Sequence, residues 1–190
     1  MGDETRAAGA ARHVILLTGD KGVGKSTVCQ QLAARARAAG YAVTGVLSPP
    51  EVAPDGGKVG IWVEDARTGA RRRLAVATHL RRGLPVETTH WSFNEAVLQW
   101  GAEVIAQATP CDLLLIDELG PLELERGAGW TAAFDVLCGG DYRWAVVVVR
   151  PSLCAPLRHR LAGLTLETVH VTDANRDALP GAFGSRLWGA

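Results

Sequence analysis

A chain of 190 residues with 20 basic and 20 acidic side chains carries no net charge, which argues against a general nucleic-acid-coating or membrane-surface protein. A chain of this length buries roughly 70% of its unfolded surface without staples, and no apolar run approaches the length of a membrane helix. Residues 1–11 are small and polar with no signal-peptide core; they are expected as a flexible N-terminal tail before a single domain at 12–190.

In chain order, Arg12 to Thr18 reads as a strand buried on both faces. It runs into Gly19-Asp20-Lys21-Gly22-Val23-Gly24-Lys25-Ser26-Thr27. A helix is expected from Ser26 to Ala39, with Val28, Leu32 and Ala36 at helical spacing and Gly40 as its stop. The loop fits the pattern Gly, four residues, Gly-Lys-Ser. Strand, glycine loop and helix, in that order, are the context a phosphate loop requires. Glycines let the backbone curl around a polyphosphate with N–H groups pointing inward, and the positive end of the helix dipole adds to that field. Residues Gly19, Asp20, Lys21, Gly22, Val23, Gly24, Lys25, Ser26 and Thr27 are therefore candidate nucleotide-binding residues. Lys25 would reach the β- and γ-phosphates, and the Ser26 hydroxyl would hold Mg²⁺. The plain alternative is a glycine-rich turn before a helix.

Tyr41 to Ser48 reads as a second strand ended by Pro49-Pro50. Asp55-Gly56-Gly57 signals a turn. Lys58 to Asp65 alternates, with Val59, Ile61 and Val63 on one face, and Arg71 to Val76 can form a further strand. The middle section thus predicts an antiparallel hairpin or meander beside a parallel sheet. The basic clusters Arg71-Arg72-Arg73 and Arg81-Arg82 read as solvated faces. Leu84 to Trp91 reads as irregular. Ser92 and Glu95 have capping-box spacing for a helix running to about Ala108, with Val97, Trp100, Val104 and Ile105 as its buried stripe. Asp112 to Asp117 reads as a central parallel strand. Helix follows at Trp130 to Cys138, strand at Trp144 to Val149, helix at Ser152 to Leu161, strand at Thr165 to Val171, and a short helix or turn at Asp173 to Leu179. This alternation implies a three-layer α/β domain. Cys29, Cys111, Cys138 and Cys154 are widely spaced among small or apolar neighbours and read as buried reduced thiols, which fits a cytoplasmic protein.

The second chemical signal is Leu113-Leu114-Leu115-Ile116-Asp117-Glu118. An apolar strand ending in acids sets them at the carboxyl edge of a parallel sheet, where the phosphate loop also lies. Asp117 is placed to hold Mg²⁺ opposite Ser26, mostly through water. Glu118 is the candidate to orient or deprotonate an attacking water. Lys25 and Glu118 are thus the catalytic candidates, and Ser26 and Asp117 the metal-binding ones. A pair of strand-end acids facing solvent is the other reading.

The glycine loop together with Ile116-Asp117-Glu118-Leu119-Gly120-Pro121-Leu122-Glu123-Leu124 resembles the P-loop nucleoside-triphosphatase family that includes the human cancer-related nucleoside-triphosphatase. Gly45 to Leu74 is similar to that family's hairpin, and Val171-Thr172-Asp173-Ala174-Asn175-Arg176-Asp177-Ala178-Leu179-Pro180 to its closing motif. The resemblance runs from Arg12 to about Pro180. It implies a RecA-like α/β domain with a mostly parallel sheet, and Mg²⁺-dependent hydrolysis of ATP, GTP and other nucleoside triphosphates to diphosphate and phosphate. The chain departs from the family at Pro121, where a lysine is common, at Ala53, where an arginine is frequent, and at Ile61, where Phe is usual.

Arg176 is a further candidate nucleotide contact, and either Arg150 or Arg176 could neutralise transition-state charge. A surface salt bridge for Arg176 and a loop cap for Arg150 are the plainer readings. Glu123 could join the acidic site or pair with Arg126. Trp91 is the tryptophan best placed to approach a base; Trp100 reads as core and Trp62 as a hairpin residue. The histidines show no metal-ligand spacing. No Asn-Lys-x-Asp guanine-reading motif is present. Two other activities use the same loop: transfer of the γ-phosphate to a small-molecule or polynucleotide acceptor, and nucleotide binding by an adaptor with little catalysis.

Overall fold

The computed structural model describes residues 12–80 and 86–188; Arg81-Arg82 and the 1–11 segment lie outside them. Five strands run parallel: β1 (His13–Thr18), β2 (Val43–Leu47), β8 (Cys111–Leu119), β9 (Tyr142–Val149) and β10 (Thr165–His170). They lie in the order β10-β1-β9-β8-β2. The sheet continues antiparallel through β4 (Lys58–Asp65), β5 (Arg71–Ala77), β7 (Trp91–Phe93) and β6 (Val86–Glu87), with β3 (Pro50–Val52) also paired to β4. Alternation along each parallel strand divides the core. Ile15 and Leu17 of β1 pack with α1 (Lys25–Ala38) and α6 (Leu179–Trp188) on one face. Val14 and Leu16 pack with α2 (Glu95–Ala106), α4 (Ala132–Gly139) and α5 (Cys154–Arg160) on the other. This is the three-layer α/β arrangement the sequence implies, with the antiparallel extension on the β2 side. One turn of helix, α3 (Pro121–Leu124), follows β8 directly.

Several local expectations are corrected. β2 ends before Pro49-Pro50 as expected, but a further short strand, β3, begins at Pro50, where the missing N–H costs the sheet nothing essential. Leu84 and Pro85 lie outside the described residues, and from Val86 onward the stretch is a hairpin of β6 and β7 rather than irregular. That hairpin claims Ser92, which is buried and donates to Glu87 Oε1 at 2.8 Å. The cap of α2 is instead Asn94, whose side chain accepts from the Val97 N–H. The buried stripe of α2 is Val97, Leu98, Gly101 and Ile105; Trp100 and Val104 are only partly buried at its edge. The even alternation expected along β4 breaks at a register shift between Ile61 and Trp62. All four cysteines are free, but Cys138 is exposed and Cys154 only half-buried.

Candidate active site

The ends of β1, β9 and β8 meet at the carboxyl edge of the sheet. The loop after β1 turns through Gly19, Gly22 and Gly24, all at positive φ (141°, 85° and 104°), a region L side chains rarely enter. Gly19 has a second constraint: a β-carbon there would stand 2.5 Å from the Val171 carbonyl oxygen. The loop ends on Gly24, the N-cap of α1, which has no side-chain cap and no acid in its first turn. The amides at that helix start are therefore left to an anion. Lys25 Nζ donates to the carbonyls of Gly19 and Asp20, both at 2.7 Å, and so folds back across the loop. Burial pushes its pKa down, against the opposing fields of Glu118 and Asp117.

Ser26 Oγ donates to Asp117 Oδ1 at 3.0 Å, and the Ser48 N–H donates to Oδ2 at 2.9 Å. The first contact joins the two sequence motifs across 91 residues. Asp117 is buried, and desolvation raises its pKa to about 6 despite those two hydrogen bonds. The Oγ of the same Ser48 is buried without a hydrogen-bond partner. A buried carboxylate short of compensating charge, next to two hydroxyls, is a set of hard oxygen donors. It fits a magnesium ion that takes its other ligands from phosphates and water. Among the described residues no group of three or more His, Cys, Asp or Glu could hold a metal by itself.

Glu118 owes its direction to a bulge. The β8–β9 register passes from Ile116 opposite Val147 to Leu119 opposite Val149, so Asp117 and Glu118 together face one residue. Leu119 consequently returns to the same core face as Ile116, and Glu118 is the residue expelled from the alternation. Its φ is 150°. Its carboxylate accepts from Arg150 Nε at 2.6 Å, with both side chains half-exposed. Arg150 therefore uses its side chain on Glu118 rather than as a loop cap. It stands at the end of β9, the strand between the loop strand and the acid strand.

Arg176 lies against the loop: its Cδ would be 3.1 Å from a β-carbon at Gly24. Its guanidinium pairs with Asp173 at 3.0 Å and Asp177 at 3.5 Å. Glu123 takes neither expected partner. It is buried and accepts from the Gly120 and Trp130 N–H groups at 2.9 and 3.0 Å, while Arg126 donates to the Glu87 carbonyl. Arg71, Arg72 and Arg73 are exposed but not simply solvated. They lie over Trp62, over Trp100, and in an ion pair with Glu51 at 2.7 Å, respectively.

The sequence reading missed Lys58. The charges that act on its ammonium are those of Glu118, Asp117, Lys21 and Arg150, all from this site. Only the register of β4 beyond the sheet edge brings it there, and no local motif signals that.

A phosphate loop facing a strand-end carboxylate across one intervening strand is the plan of a P-loop nucleotide-handling domain. A family model described as NTPase matches residues 14–183. Nucleoside-triphosphatase THEP1 of Methanosarcina acetivorans is 30% identical over 91% of this chain and 95% of its own. The protein of the same name from Methanopyrus kandleri is 34% identical over 61% of this chain and 62% of its own. The crystal structure of THEP1 from Aquifex aeolicus superposes with a TM-score of 0.62, covering 92% of this chain and 99% of that one at 16% identity, a likeness of fold. The chain belongs to the NTPase family and is a P-loop nucleoside-triphosphatase.

Proposed function

We propose that residues 12–190 act as one domain that hydrolyses ATP, GTP and other nucleoside triphosphates to the diphosphate and phosphate with Mg²⁺. The observation that carries this reading is the Ser26–Asp117 hydrogen bond, which joins the phosphate loop to the acid strand. The amides of residues 19–27 hold the β- and γ-phosphates, and Lys25 reaches them by giving up the carbonyls of Gly19 and Asp20. Ser26 and Asp117 are the side chains that would hold magnesium, whose chemistry is to neutralise charge on the phosphate oxygens. Glu118 orients a water for attack on the γ-phosphorus and accepts its proton.

Before Glu118 can do so, its carboxylate must be at least partly released from Arg150. The γ-phosphate is the competing anion, and it leaves the Arg150 guanidinium beside the charge that develops in the transition state. Arg176, packed on Gly24, is a nucleotide contact in this reading. No described helix is long and apolar enough to cross a membrane, and four free thiols support a reducing, cytoplasmic setting.

The test is a panel of nucleoside triphosphates assayed for phosphate release with and without Mg²⁺. Release from several nucleotides that stops on removing the metal is the expected result. Release that is negligible until an acceptor is added, with the phosphate transferred to it, would make the protein a kinase instead.

A further inference from the structure

The chain has three lysines, Lys21, Lys25 and Lys58. Two belong to the phosphate loop. The third lies 33 residues further along the sequence, at the first position of β4, yet its charge neighbours are the loop and the acids. The path is readable from the sheet. β4 pairs antiparallel with β2, with Leu47 opposite Glu64 and Val46 opposite Asp65. The parallel strand therefore ends at Leu47, and β4 continues past the carboxyl edge towards its own start at Lys58.

The overhanging part of β4 is held from both sides. Glu51 of β3 faces Gly60, Val76 of β5 faces Gly60 from the other side, and Glu51 is fixed by Arg73 at 2.7 Å. At the tip, Lys58 Nζ lies 5.2 Å from the centre of the Trp91 ring. The hairpin thus carries an ammonium group past the carboxyl edge at which the loop and the acids lie.

We propose that Lys58 is a substrate-contacting residue that binds the γ-phosphate of the nucleoside triphosphate from above. This rests on the hydrolase reading of the same site. The loop, Lys25 and the helix start all approach the phosphates from one side of the sheet edge. A terminal phosphate has three non-bridging oxygens, and the face turned towards the hairpin needs a donor of its own. A lysine suits that place because its compact ammonium can leave an aromatic face for an anion without reorienting a planar group. The Trp91 ring and the attraction of Glu118 and Asp117 hold the side chain at that edge beforehand.

The experiment compares the full-length wild-type chain with Lys58→Gln, Lys58→Ala and Lys58→Arg. Calorimetric titration with a non-hydrolysable triphosphate analogue and with the matching diphosphate, both with Mg²⁺, reads affinity; phosphate release reads turnover. The expected result is that Lys58→Gln weakens the triphosphate analogue about tenfold or more and leaves the diphosphate unchanged, as loss of one charge-assisted hydrogen bond to the γ-phosphate alone requires. Lys58→Arg should recover part of the difference. Equal weakening of both ligands would mean that the hairpin has merely been disturbed, and no weakening of either would mean that Lys58 stays clear of the phosphate; each overturns the proposal. Lys58→Gln keeps a stem to pack on Trp91, so it separates the loss of charge from any unfolding of Lys58→Ala. A wild-type chain that released no phosphate from any triphosphate would instead sink the hydrolase reading itself.

Discussion

Glu118 is the residue where geometry and chemistry conflict most openly. It sits at φ 150°, on the side of conformational space that a β-carbon disfavours by about 1–3 kcal/mol. The bulge that forces this conformation also takes the carboxylate out of the sheet's alternation and turns it to Arg150. Strain of this kind has a measurable signature. At ordinary positions Gly is about 0.5–1 kcal/mol less stabilising than Ala. At 118 the order should invert, so Glu118→Gly should unfold at a urea concentration no lower than Glu118→Ala. If Gly proves the weaker by the usual margin, the residue is relaxed and the bulge has another cause. The sequence made Asp117 and Glu118 legible because they directly follow four apolar strand residues. It did not reveal the bulge, because two adjacent acids at a strand end read the same with or without an extra residue in the register.

At the level of elements, legibility followed how local the determinants are. Strand, glycine loop and α1 are contiguous, and were readable as a unit. Ser92 was misread as a helix cap because both Ser92 and Asn94 can cap; the choice was made by β6, whose Glu87 binds the serine hydroxyl. The helix α6 was missed because it contains Pro180, Gly181 and Gly184, poor helix formers. It forms because Phe183 and Leu187 are buried with α1 residues, a tertiary cause no window of sequence displays.

Its other tie is Arg186, which donates to Glu167 of β10 at 3.0 Å through one nitrogen and again through a second. Those hydrogen bonds hold the Glu167 carboxyl below its ordinary pKa. A depressed carboxylate contributes stability above its unfolded pKa and loses it as pH falls through the folded value. Both side chains are nearly half-exposed, so the contribution is at most about 1 kcal/mol. Urea unfolding should therefore find Glu167→Gln less stable than wild type at pH 7, with the gap closing below about pH 4. A gap that persists or grows on acidification would show that the pair is not its source.

Across the whole molecule, the sheet order turns separate sequence signals into one place. β1 and β8 are far apart in the chain, yet with only β9 between them they deliver the loop, Arg150 and the acids to a single edge. The antiparallel extension beyond β2 then brings Lys58 over that edge. The first convergence could be expected, since parallel α/β sheets gather their functional ends on one side. The second depends on the length and register of a hairpin whose strands pair through side chains unrelated to the chemistry.

The central claim is that this edge binds a triphosphate and cleaves it with Glu118 as the base, and Glu118→Gln tests it most directly. Nucleotide affinity and phosphate release should be measured on the same preparation with saturating Mg²⁺. Affinity within about threefold of wild type, with turnover reduced by about 10²-fold or more, is the outcome the structure predicts. Turnover close to that of the wild-type chain would remove Glu118 from the reaction and contradict the account.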